Sequence, residues 1–135
     1  MAYYPDLSPY QYRVQKIDPL IVNIGWLDGV HPRTTGNVSE DFIERLWAHC
    51  QNYVREFRGY HECELCSEPA WPYIGKRGNE ELALGSAEIR VSGKNGVVYA
   101  APNLIYHYVI DHHYLPPEEF IQAVLESPLP DKQTE

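Results

Sequence analysis

Two cysteines separated by two residues, with a histidine-rich stretch about forty positions later, restrict this chain more than any other feature. The pair is Cys63-Glu64-Leu65-Cys66, and the stretch runs from Tyr106 to Tyr114 with histidines at 107, 112 and 113. Thiolate sulfur and imidazole nitrogen are the usual donors of tetrahedral zinc, and a Cys-x-x-Cys turn presents both sulfurs on one side of a tight loop. Two thiolates neutralise Zn2+, and two neutral imidazoles complete the tetrahedron. Cys63, Cys66, His107 and His112 are therefore predicted to hold one structural zinc ion. A thioredoxin-type redox pair would open a helix after a strand in a βαβ unit, a context missing around residue 63.

The histidine assignment leaves alternatives. His107 and His112 stand five positions apart, about 140° around an ideal helix, so the helix must distort or end near His112. Asp111 lies closer to the His107 face and either replaces a ligand or orients His107 by a hydrogen bond. His61 and His113 are adjacent alternatives. A catalytic metal needs an open coordination position with an acid or base beside it, and four strong protein ligands leave none. For that chemistry His61, Glu62, Glu64 and Asp111 are the available groups. The sequence has no His-Glu-x-x-His, glycine-rich phosphate loop, Gly-x-Ser-x-Gly or zinc-deaminase signature. No catalytic residue is assigned. A small metal-dependent hydrolase or nucleotide-processing enzyme stays as the alternative to a non-catalytic domain.

At 135 residues the chain has the length of one domain, expected over 1–126 with a flexible tail over 127–135. The formal charge of −8 disfavours nucleic acid, which requires a Lys/Arg surface; Lys76-Arg77, Arg90 and Lys94 are short groupings. An acidic surface suits solubility, or docking onto a basic protein partner. Neither a signal peptide nor a membrane span is expected, because a basic n-region and a run of about 20 apolar residues are both missing. Cys63 and Cys66 then read as a metal clip in a reducing, cytoplasmic compartment.

The fold class expected is α+β, with a zinc knuckle, a β-hairpin and a helix in a treble-clef or zinc-finger-like core. To this are added a long N-terminal helix and an irregular Tyr/Pro-rich arm over residues 1–19, including Tyr10 and Tyr12. Leu20–Trp26 reads as a core strand. Ser39 caps a helix whose apolar residues Phe42, Ile43, Leu46, Trp47, Cys50 and Val54 recur at helical spacing to about Phe57. Cys50 on that stripe reads as a small buried hydrophobe. Residues 67–81 read as a long loop, with Trp71 among the packing aromatics. Ala87–Val91 and Val97–Ala100 form a hairpin around Asn95-Gly96. Pro102 opens a helix reaching about His113, and a second short helix spans Pro116–Leu125.

Several segments resemble a family of small, functionally uncharacterised bacterial proteins. They are Tyr4–Tyr10, Asn23–Leu27, Arg58–Cys66, Gly85–Val91, Tyr99–Val109 and Tyr114–Phe120, so the likeness covers roughly residues 3–125. The family pattern reads Tyr-His-x-Cys-x-x-Cys, then His-Tyr-Val-x-x-His before Pro-Pro. It falls on His61, Cys63, Cys66, His107 and His112, and so implies His112 rather than His113 as ligand. The resemblance carries no activity with it. The expected function is a non-catalytic, zinc-stabilised, protein-binding domain, in one version an immunity or antitoxin protein that masks a basic toxin.

Overall fold

A computed structural model describes residues 3–9, 21–56, 61–67 and 73–128. Strand β1 (Ile21–Asn23) lies parallel to β6 (Val98–Pro102), which pairs antiparallel with β5 (Ala87–Ser92). The two-residue β2 (Arg55–Glu56) completes a four-stranded sheet in the order β1-β6-β5-β2. A separate hairpin joins β3 (Tyr73–Arg77) to β4 (Glu80–Leu84). Helices α1 (Glu40–Gln51), α2 (Ile105–His112) and α3 (Glu118–Glu126) complete an α+β fold.

Alternation along β5 sets the layers, because successive side chains in a strand point to opposite faces. Ala87, Ile89 and Val91 share one face, and α1 and α3 pack against this strand. The opposite face carries Glu88, buried to 1% exposure and ion-paired with Arg90 at 2.6 Å. Phe42, Leu46, Phe120 and Val124, from the two helices, are fully buried. The rings of Phe42 and Phe120 meet edge-on at 6.2 Å.

Helix α1 starts as expected. Ser39 Oγ accepts the Phe42 N–H at 3.1 Å, with Glu40 and Asp41 in the first turn. It ends at Gln51 rather than near Phe57, and it follows β1, so no long N-terminal helix is present among the described residues. Asn52 explains the stop: its side-chain amide donates to the Ala48 carbonyl at 2.8 Å, taking an acceptor that continued helix would use. The Val54 N–H then bonds the Glu88 carbonyl, and residues 55–56 join the sheet edge.

The loop expected over 67–81 is overturned from residue 73 onward, where β3 and the start of β4 stand, and residues 68–72 lie outside the described residues. Gly78 turns the hairpin at φ +60, a conformation glycine adopts without penalty. Pro102 is the last residue of β6, paired with Glu88, and α2 begins three positions later at Ile105. The β5–β6 hairpin is as expected, with Asn95 left-handed in its turn. Within the N-terminal arm, residues 3–9 are tied to β1 by Leu7 and Ser8, whose backbones bond Asn23. Asp6 accepts from the Gly25 N–H and the Tyr114 hydroxyl. Tyr10, Tyr12, Trp71 and the tail beyond Pro128 lie outside the described residues.

Candidate metal centre

Two junctions bring the cysteine turn to α2. Gly85, at φ +106 between β4 and β5, accepts the His61 N–H on its carbonyl at 3.0 Å. A Cβ at this position would stand 2.6 Å from the His61 carbonyl oxygen, so only glycine permits the approach. The Gly85 N–H in turn donates to Oδ1 of Asn103, a buried residue at the β6–α2 junction. On the other side, Glu64 Oε1 accepts the Gly29 N–H at 3.1 Å. The knuckle is thus anchored through backbone groups, and the Leu65 N–H points at Cys63 Sγ at 3.3 Å, a donor suited to a sulfur carrying negative charge.

Helix α2 solves the five-residue spacing by ending. His112 is its last residue, and His113 follows in the left-handed conformation at φ 55, its N–H bonded to the Tyr108 carbonyl. This swings the His112 ring across His107, with centroids 4.9 Å apart and planes at 87°. His112 Nε2 lies 3.4 Å from Cys63 Sγ and 3.3 Å from Cys66 Sγ. His107 Nε2 lies 3.2 Å from Cys66 Sγ. All four donor atoms fall within 4.8 Å of one another. Zinc bonds of about 2.3 Å to sulfur and about 2.0 Å to nitrogen, at tetrahedral angles, separate donors by about 3.4–3.8 Å. Cys63, Cys66, His107 and His112 therefore lie close enough to hold a metal ion.

Burial shapes the protonation of the site. It pushes the Cys63 thiol up to about 11, with the Leu65 N–H working against it. Burial also lowers His107, opposed by Asp111, and lowers His112, assisted by His107 and Arg33. Asp111 Oδ2 lies 2.7 Å from His107 Nδ1. A carboxylate only accepts, so Nδ1 carries the proton and Nε2 turns its lone pair toward the sulfurs.

The remaining candidates separate from these four. His61 is held at the Gly85 junction, and His113 serves as the helix terminus, exposed, its carbonyl accepting the Gly36 N–H. Glu62 is exposed, and Glu64 is engaged by Gly29. Lys76 pairs with Glu81, Arg77 with Glu40 and Arg90 with Glu88. Cys50 is fully buried on α1 and bonds the Asn103 carbonyl at 3.5 Å. Tyr73 was not among the expected site residues, yet its hydroxyl donates to Asp111 Oδ2 at 2.8 Å and its ring centroid lies 4.0 Å from that of His107. The signal that would have found it is the Gly78-Asn79 turn, which marks Tyr73–Arg77 as a hairpin strand.

A family model described as "Domain of unknown function (DUF7919)" matches residues 2–125. The chain belongs to that family. The DUF7919 match spans the arm, both sheets, the knuckle and α2, so the four donors sit inside the family's domain. No curated protein and no solved structure matches the chain. No helix among the described residues is long and apolar enough to cross a membrane.

Proposed function

We propose that this DUF7919 chain is a zinc-stabilised, non-catalytic domain over residues 1–126 that works in the cytoplasm by binding a protein. One observation carries the metal half of this proposal: two sulfurs and two imidazole nitrogens converge within 4.8 Å from a knuckle and a helix distant in sequence. Soft thiolates with imidazole favour zinc over magnesium or calcium, and a two-sulfur, two-nitrogen set fills a tetrahedron without water. In this reading the ion staples the knuckle to α2 behind a β-hairpin, in a treble-clef-like arrangement. A reducing compartment fits a centre that requires both thiols free.

The protein-binding half rests on the net charge of −8, which suits a basic partner surface. Masking of a cationic toxin is its concrete version. A small metal hydrolase is the competing function, and it needs an unengaged base beside the metal. Against it stand Asp111, bonded to His107 and Tyr73, and Glu64, bonded to the Gly29 N–H. Elemental analysis of the purified chain is expected to find one zinc per molecule, and X-ray absorption a coordination sphere of two sulfurs and two nitrogens. Three protein ligands plus a water would move the assignment to the hydrolase. For the partner, calorimetric titration with cationic toxin domains is expected to give a complex that weakens as salt rises. Absence of any complex at low salt removes the toxin-masking version.

A further inference from the structure

We propose that the two histidines of the centre play unequal parts: Tyr73 and Asp111 hold His107 as the permanent ligand, whereas His112 gives way to an exogenous imidazole or thiolate. This rests on the metal-binding reading above and adds a binding position to it.

The His107 side rests on its burial and two contacts. Its ring is buried to 2% exposure, its Nδ1–H donates to Asp111 Oδ2 at 2.7 Å, and the Tyr73 ring lies against it at 4.0 Å. The Tyr73 hydroxyl donates to that same carboxylate oxygen at 2.8 Å. Asp111 belongs to α2 and Tyr73 to β3, so two separate elements fix the tautomer and the ring plane of His107. A carboxylate bonded in this way also raises the basicity of the ligating nitrogen.

His112 lacks this support. Its Nε2 faces the two sulfurs and its ring meets the edge of His107, but its Nδ1 has no hydrogen-bond partner among the described residues. The ring is half-buried at the last position of α2. The next residue, His113, ends the helix in the left-handed conformation. With a metal held by the two sulfurs and His107, exchange would break the bond from the metal to His112 Nε2 and form one bond to the incoming donor. A thiol would release its proton to solvent as it bound, and no electron would be transferred. The ligand class is a small neutral nitrogen donor or a thiolate, matched to a metal already bound by sulfur.

The test uses the full chain loaded with Co2+, whose visible bands report a tetrahedral sulfur–nitrogen site. His112→Gly is expected to keep cobalt and to regain the wild-type spectrum when imidazole is added. His107→Gly is expected to lose cobalt, with no recovery at the same imidazole concentration. Because the buried His107 variant risks misfolding, Asp111→Asn and Tyr73→Phe serve as milder probes. Asp111→Asn is expected to weaken metal affinity about 10- to 100-fold, and Tyr73→Phe less, with the melting temperature of the metal-free chain unchanged. Equal imidazole recovery at both positions, or unaltered affinity in Asp111→Asn, would overturn the proposal. A wild-type chain that takes up no cobalt would instead remove the metal-binding reading on which it stands.

Discussion

Between α1, α3 and the four-stranded sheet, Phe42, Leu46, Ile89, Val91, Phe120 and Val124 are each buried to 1% exposure or less, and none carries a polar side-chain atom. Around Cys63 the buried groups are a thiol and the imidazole of His107, with Cys66 and His112 half-buried beside them. The first region is stabilised by removing apolar area from water, at about 25 cal/mol per Å2. The second gains little from that source, and its buried polar atoms carry a desolvation cost until something bonds them. Four donor atoms lie close enough together for a metal ion to supply that partner. On the metal-binding reading proposed above, the chain uses two means of cohesion, one distributed over many side chains and one concentrated on four.

The largest effects come from attacking each region separately. Cys63→Ser is expected to abolish metal binding and to destabilise the chain by more than any single core truncation, since structural zinc sites bind with about 10–16 kcal/mol of apparent free energy. Phe120→Ala is expected to cost about 3–5 kcal/mol while leaving one metal per chain. Denaturant unfolding with elemental analysis checks both. Hydrogen exchange refines the contrast: in Cys63→Ser, amides of the knuckle and of His107–His112 should lose more protection than those of β5. If the unfolding midpoint of Cys63→Ser matches wild type, the corner needs no metal and the contrast fails.

Gly85 tests whether the two regions communicate. It continues β4 toward β5, yet its carbonyl holds the His61 N–H and its own N–H is bound by Asn103. Gly85→Ala places a methyl group against the His61 carbonyl at a φ of +106. The strain is expected to cost about 1–3 kcal/mol, and displacement of the knuckle should weaken metal binding as well. Loss of stability with unchanged metal affinity would show that the junction positions the sheet and not the cysteines.

How far the sequence exposed all this depended on whether the signal was local. Ser39, the acidic first turn and the apolar spacing from Phe42 to Cys50 act within a few turns of helix, and the start of α1 follows from them. The spacing of Cys63, Cys66, His107 and His112 was equally visible, because ligand chemistry limits which residues can converge. The end of α1 was not. Val54 continues the helical spacing, but its N–H is claimed by Glu88, far along the chain. Strand β3 was obscured by Gly75, which reads as a breaker. Its missing side chain instead makes room, since a Cβ there would stand 2.8 Å from Leu84 and 3.2 Å from Trp47. Tyr73 was lost with that strand, so its bond to Asp111 was out of reach.

The smallest expected effect separates the regions by pH. His49 lies on α1 at 8% exposure, and its Nε2 has no hydrogen-bond partner among the described residues. Burial first, and then the charge of Arg45, lower its pKa in the folded chain. The unfolded chain takes up a proton near pH 6.5 while the folded chain resists it, so unfolding binds protons on the acid side. The stability from neutral His49 is complete above about pH 6.5 and declines as pH falls through and below that value. His107 and His112 also take up protons in acid, which is why the comparison belongs in Cys63→Ser, where any bound metal would be lost. Urea midpoints at about pH 7.5 and about pH 5.5 should fall less in His49→Asn/Cys63→Ser than in Cys63→Ser alone. Identical slopes in the two variants would mean that His49 protonates as readily in the folded chain as in the unfolded one, and that acid sensitivity resides outside the α1 face of the core.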